Sequence, residues 1–383
     1  MERTGWRKDI GRNVFFLGIV SGLTDVSSEM LYPVMPLFLT GTLHAPMTVV
    51  GLIEGVAEAT ASIFKALSGR WSDRARRRKP FVVWGYGLSA LAKPLLALAR
   101  AWPMALFCRF LDRLGKGVRT SARDALITAS TEPAHWGKAF GFHRAMDTAG
   151  AAAGPLLSVL LMSVFGLGYR SLFLLAAVPA ALGVLVLAAR VEDRPVEAAP
   201  AAHIAAPLSP ELKRFLLIYG IFALGNSSDA FLLLKAAQGG LSPVHVILAY
   251  VLYNSVYALA ATPAGALADR IGRTRTLAAG LAVFAAAYFG FSRAESGIWF
   301  WPLFAVYGFY GALAESSLKA AIAERCVPEA RATAMGVFQG ATGMLALAAS
   351  LAAGWLWSQV SAAAPFLLGA ACAGAAALLL FIV

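Results

Sequence analysis

Charge is what this sequence has little of. Asp, Glu, Lys and Arg make up 14% of its 383 residues, against about 25% in soluble domains. The hydrophobic share is 59% and the mean hydropathy +0.68. One soluble core cannot hide that much apolar side chain, so the chain reads as a polytopic membrane protein. Cysteine is scarce as well. Cys108, Cys326 and Cys372 are an odd set that fits no disulfide framework. The five histidines (His44, His135, His143, His203 and His245) stand at no metal-ligand spacing. No metal and no cofactor are therefore expected. There is no G-x-x-x-x-G-K-[ST] loop, which excludes direct use of ATP. There is no G-x-S-x-G elbow or other nucleophile setting either, so the chain is not read as an enzyme. No small-residue cleavage site follows the first apolar run, which reads as an uncleaved anchor.

What is present is a succession of apolar runs close to the ~20 residues that cross a bilayer. Twelve are read, at about 14–39, 48–68, 80–99, 103–124, 139–165, 171–189, 214–235, 243–267, 276–293, 298–322, 332–357 and 362–383. The net charge of +12 does not form a nucleic-acid footprint, because it alternates with the loops. Arg3, Arg7, Lys8 and Arg12 precede the first run, and Arg70 to Lys79 follow the second. Arg270, Arg273 and Arg275 follow the eighth, and Arg325 and Arg331 the tenth, while the alternate loops are nearly bare. This is the positive-inside pattern, and it places both termini in the cytoplasm. The excess of Arg over Lys and the abundance of Ala fit a bacterial source, hence a multi-pass protein of the inner membrane. A single, monomeric chain in the lipid bilayer is expected, with no nucleic-acid partner.

Residues 190–213 are rich in Pro, Ala and mixed charge, with nothing to bury, and read as a cytoplasmic linker. They divide the chain into an N-terminal six-helix bundle (1–189) and a C-terminal one (214–383). The two halves repeat at an offset of about 196 residues. Gly69-Arg70-Trp71-Ser72-Asp73-Arg74 in the first half answers Gly265-Ala266-Leu267-Ala268-Asp269-Arg270 in the second. Ser27-Ser28-Glu29 answers Ser227-Ser228-Asp229, and Ala139-Phe140-Gly141-Phe142 answers Ala334-Met335-Gly336-Val337.

On these motifs the chain resembles the major facilitator superfamily across its whole length. That family carries G-x-L-a-D-r-x-G-r-k between spans two and three and a weaker copy between spans eight and nine. Here the second copy is the better preserved; the first has Trp71 and Arg76 at two motif positions but keeps Gly69, Asp73, Arg74 and Arg77. The resemblance implies an all-α membrane fold of twelve helices in two pseudo-symmetric bundles. It also implies a gating role for Gly69, Asp73, Arg74, Arg77, Gly265, Asp269, Arg270 and Arg273, with Asp73 and Asp269 each binding a helix start in the other half. Gly141, Gly150, Gly154 and Pro155 in span five are similar to the family's antiporter pattern G-x8-G-x3-G-P. They also read as a small-residue packing face, with or without antiport. Arg113-x-x-Lys116-Gly117 resembles the R-x-x-Q-G motif of span four.

Ionisable residues within spans mark functional sites. Asp25, Glu29, Glu58, Arg109, Asp112, Arg113, Lys116, Arg144 and Asp147 form a candidate proton-coupling and cavity set, in which a rocking motion could change the Asp25–Arg113 or Glu29–Arg109 distance. Lys65, Lys93 and Glu54 are further charges of the same half. The C-terminal half is barer, and Asn226, Asp229, Tyr253, Asn254, Glu315 and Gln339 are its substrate-binding candidates. The reading is a secondary transporter, a proton-coupled antiporter that exports a small organic molecule. The alternatives are a proton symporter or facilitator for an anionic metabolite, and a non-transporting membrane receptor.

Overall fold

The computed structural model describes residues 11–75, 77–193, 209–326 and 331–382, apart from the side chains of 69, 70, 73–75, 316 and 331–333. Among these residues there are fourteen α-helices and no strand. In chain order they are α1 (Arg12–Leu31), α2 (Met35–Gly41), α3 (Met47–Ala75), α4 (Lys79–Ala97), α5 (Trp102–Ala129), α6 (Trp136–Ser163) and α7 (Tyr169–Arg190). Then follow α8 (Pro210–Gly225), α9 (Ala230–Gln238), α10 (Pro243–Ile271), α11 (Arg273–Arg293), α12 (Gly297–Glu324), α13 (Arg331–Gln359) and α14 (Ala364–Ile382).

Fourteen helices make twelve spans because two spans are broken. The first is α1 plus α2, interrupted at Tyr32-Pro33-Val34, where Pro33 offers no N–H and crowds the preceding turn. The seventh is α8 plus α9, interrupted at Asn226-Ser227-Ser228-Asp229. Short polar side chains there compete for backbone hydrogen bonds and weaken the helix. The repeated Ser-Ser-acid motif thus has two structures, helical in α1 and unwound between α8 and α9. Ten spans are long and apolar enough to cross a membrane. The other two are α4, which carries Lys93, and α5, which carries seven charged side chains from Arg109 to Asp124.

By packing, the chain forms two compact units, Met1–Val34 with Thr60–Ala202 and Met35–Ala59 with His203–Val383. Unit one packs α1 on α6 and α7, and α4 on α5 and α7. Unit two repeats that scheme, with α8 on α13 and α14, and α11 on α12 and α14. The same fold is therefore built twice. Residues 35–59 pack with unit two because the start of α3 has no side chain at Gly51 and Gly55. Leu347 and the Ser350 backbone of α13 come close there, and Gly354 meets Met47 and Thr48.

Of the expected linker 190–213, residues 190–193 and 209–213 are described, and both ends are tied down. The Asp193 carboxylate accepts from the N–H groups of Arg78 and Lys79, each at 3.1 Å, and so caps the start of α4. Asn13 exchanges two hydrogen bonds of 2.9 Å with the backbone of Glu192. The Ser209 hydroxyl accepts from Leu212 N–H at 3.2 Å and starts α8 at Pro210, four residues before the span expected from the sequence.

Candidate functional site

In unit one the site begins with a seam of small residues. A Cβ on Gly154 would lie 2.6 Å from the Val26 carbonyl oxygen and 2.9 Å from Glu29 Cβ. One on Gly150 would meet the Gly22 carbonyl and lie 3.0 Å from Asp25 Cβ. The seam continues at Ser158, buried beside Pro155, whose hydroxyl donates to the Met30 carbonyl at 2.8 Å. The motif glycines thus let α6 lie directly against the two acid-bearing positions of α1. Gly141 takes no part, since its missing side chain faces open space; Gly150, Gly154 and the buried Pro155 remain in the packing face, joined by Ser158.

Asp147, one turn before Gly150, is within electrostatic range of Asp25 and lies 3.4 Å from His143 Nδ1. Lys116 and Arg119 are within electrostatic range of Asp25, one and two turns beyond the Arg113 of the expected pairing. Lys116 and Arg144 are both solvent-exposed in this structure.

Behind this face α4 and α5 enclose a charge network. Lys93, 3% exposed, lies 3.6 Å from Asp112, and Arg113 Nε is 4.0 Å from the other carboxylate oxygen. Ser89 donates to the Asp112 backbone carbonyl at 3.0 Å and accepts from Arg119 Nη1 at 2.7 Å. The Arg119 guanidinium also sits 4.4 Å from the centre of the Tyr86 ring. Arg123 binds Asp124 at 2.8 Å and Ser21 at 3.3 Å. Gly85 and Gly115 make this possible, since a Cβ on Gly85 would lie 2.6 Å from the Gly115 carbonyl oxygen. A buried charge is tolerated only when paired and hydrogen-bonded, and the network supplies partners to Lys93, Asp112 and Arg119. Arg109 is buried on the same helix.

In unit two the site is the break in the seventh span. The Ser228 hydroxyl accepts from Ala230 N–H at 3.3 Å and donates to Glu54 Oε2 at 3.4 Å. The Ser228 N–H donates to the Ser350 hydroxyl at 3.2 Å. Tyr307 donates to Asp229 Oδ1 at 2.6 Å, and its ring lies 5.0 Å from that of Tyr253. Glu58, Glu315 and Glu54 are all within electrostatic range of Asp229. Asn226 closes α8 by donating its N–H to Phe222. Glu315 accepts from Tyr257 at 2.8 Å. Asn254 instead bonds back to the Tyr250 carbonyl of its own helix, and Gln339 is half-buried on α13. Among the described residues no cluster of His, Cys, Asp or Glu is placed to hold a metal ion.

Of the gating candidates, Gly69, Asp73 and Arg74 lie on α3 outside the described side chains, and Arg77 is exposed. In the second copy Gly265 faces open space and Arg270 is exposed. Asp269 is 74% exposed and lies 3.8 Å from Arg273, which also binds Glu324 at 2.9 Å. The α4 start is held by Asp193 of its own unit. Asp269, Arg273 and Glu324, with Thr274 and Arg275, line a shallow cavity of about 400 Å³.

Sequence reasoning left Glu54, Ser89, Arg119, Arg123, Asp124, His143, Asp193, Ser228 and Tyr307 outside its site set. The i,i+4 spacing of His143 and Asp147 was a readable signal. Nothing local in the sequence marks Tyr307 as the partner of Asp229, because they are 78 residues apart.

Comparison with known proteins agrees with this architecture. A family model described as Major Facilitator Superfamily matches residues 17–235 and again 215–383. An uncharacterized MFS-type transporter of Methanocaldococcus jannaschii is 37% identical, over 98% of this chain and 96% of its own. An uncharacterized protein of Mycobacterium tuberculosis is 28% identical, over 90% and 87%. Among solved structures, the POT family transporter PepTSo shares the fold with a TM-score of 0.79 at 14% identity, over 97% of both chains. The nucleoside transporter NupG does so at 0.76 and 13%, over 96% of this chain and 97% of its own. Matched along nearly its whole length by family and relative alike, the chain belongs to the Major Facilitator Superfamily of secondary transporters.

Proposed function

We propose that this transporter is a proton-coupled antiporter that exports a small organic molecule by alternating access. It works as a single chain in a bacterial inner membrane, with both termini in the cytoplasm. The observation that carries the reading is the α1–α6 seam, where the antiporter-like glycines Gly150 and Gly154 pack against Asp25 and Glu29. A coupling carboxylate must be neutral in one state and charged in another. Burial favours its neutral form and an approaching base its charged form. Asp25 is partly buried and has Asp147, Lys116 and Arg119 within electrostatic range. In this reading Asp25 and Glu29 carry the proton, and the α4–α5 network holds the surrounding field. Asp229, Asn226, Tyr253 and Glu315 contact the exported molecule.

The test is transport in liposomes under an imposed pH gradient. Asp25→Asn and Glu29→Gln are each expected to uncouple flux from the gradient; wild-type coupled flux in both would end the proposal. A second reading, import of an anionic metabolite, is favoured by the buried bases Lys93, Arg109, Arg113 and Arg119. It predicts accumulation under the opposite gradient and loss of anion uptake in Arg109→Ala.

A further inference from the structure

The two units differ in the sign of their interior charge. Residues 35–59 pack with unit two and bring Glu54 and Glu58 within electrostatic range of Asp229, as is Glu315. The nearest bases along these helices are Lys235, six residues beyond Asp229 on α9, and Lys319, one turn beyond Glu315 on α12. Three carboxylates around a fourth form an arrangement that a bound cation would relieve.

The carboxylates meet a bank of aromatic rings. Tyr307, which donates to Asp229, has Tyr253 at 5.0 Å, Tyr310 at 5.3 Å and Tyr288 at 6.1 Å between ring centres. Tyr288 is 1% exposed. Its hydroxyl faces Ser227 and Tyr307 at the helix break but meets full hydrogen-bond geometry with neither. A buried hydroxyl left in that state is a group waiting for an acceptor or for a rearrangement on binding. At the break Asp229 is the N-cap residue of α9 but makes no side-chain cap hydrogen bond; that role falls to Ser228, which accepts from Ala230 N–H.

We infer that unit two binds an organic ammonium ion, held by Asp229 at the α8–α9 break and by the face of Tyr253, supported by Tyr307. This rests on the proposed transport reading and names the substrate class of its binding residues. A cation over a tyrosine face is attracted by the ring quadrupole, more strongly when desolvated. The charge pairing supplies the orientation, and the uncharged rings accept varied apolar bodies.

The experiment uses the purified full chain in nanodiscs with three matched probes: phenyltrimethylammonium, its uncharged isostere tert-butylbenzene, and benzoate. Binding is read by thermal shift and by quenching of tryptophan fluorescence, with no gradient applied. Phenyltrimethylammonium is expected to bind at least tenfold more tightly than either other probe. Asp229→Asn and Tyr253→Leu should each lose at least fivefold, and Tyr253→Phe should lose less than twofold. Glu132→Gln, which removes an exposed carboxylate (84% exposed), should bind as wild type. Preference for benzoate or the neutral isostere, no binding of the ammonium, or wild-type affinity in Asp229→Asn with unchanged unliganded Tm would each overturn the inference. Because no gradient is present, cation binding can fail while proton-driven export stands, and the reverse.

Discussion

Gly154→Ala is the sharpest test of the seam that carries the functional reading. The added methyl carbon would lie 2.6 Å from the Val26 carbonyl oxygen, 2.9 Å from Glu29 Cβ and 2.9 Å from Met30 N. Ordinary contact starts near 3.4 Å, so α1 and α6 must separate by about 0.8 Å at that level. Two of the three obstructing atoms are backbone, so no rotamer change relieves them. Overpacking of this kind costs about 1–3 kcal/mol, against about 1 kcal/mol returned by the better helix propensity of Ala. Each kcal/mol moves Tm by roughly 2–4 °C for an unfolding unit of about 150–250 residues. A net fall of a few degrees is expected. Transport should fall further than stability, because the same separation pulls Glu29 and Asp25 from the groups on α6. The matched control is Gly141→Ala on the same helix, where the methyl meets nothing within 4 Å and should leave Tm equal or higher. Thermal unfolding in detergent and pH-driven flux in liposomes are measured on both variants. A Gly154→Ala protein with wild-type Tm and flux, or equal damage in Gly141→Ala, would refute the seam as described.

Three further outcomes follow from named contacts. Lys93→Met removes the base 3.6 Å from Asp112, leaving Arg113 at 4.0 Å and Arg109 and Arg119 in electrostatic range. It should destabilise by less than the ~3–5 kcal/mol of a fully stranded buried charge. Lys93→Met with Asp112→Leu should recover most of that loss, and a double-mutant cycle on Tm showing no recovery would exclude their pairing. Asp193→Ala removes the acceptor for two N–H groups at the start of α4 and should cost about 0.5–2 kcal/mol, whereas Asp193→Asn should retain most of it; equal Tm in all three proteins would discount the cap. Asp269→Asn should hardly change Tm, since an exposed pair contributes about 0–1 kcal/mol. It should nevertheless slow transport at least as much as Asp73→Asn, and a clear reverse ranking with both variants stably inserted would remove the better-preserved loop from the gate.

The parts of this protein written in local patterns were legible before any coordinates. Twelve apolar runs, their charge-biased loops and the six-plus-six repeat follow from hydropathy and spacing, and the helices sit where those runs do. What stayed hidden was decided by packing across distant segments. The Ser-Ser-acid echo looked like one device used twice, yet the chain bends after it in the first span, at Pro33, and within it in the seventh. The expected partner of Asp25 was Arg113, whereas Lys116 and Arg119, one and two turns further along α5, are within electrostatic range of it. Glu54 and Glu58 belong by sequence to the first half, among the six acids and six bases named for its spans. Gly51, Gly55 and Gly354 allow the start of α3 to pack instead with the second half's residues. Moving two acids across leaves the spans of unit one with four of those acids against six bases, and gathers three glutamates around Asp229 in unit two. A count along the chain could not detect that, because the deciding contacts join residues about 300 positions apart. The sign of the interior charge, and with it the class of molecule each half can hold, is thus a property of packing in three dimensions.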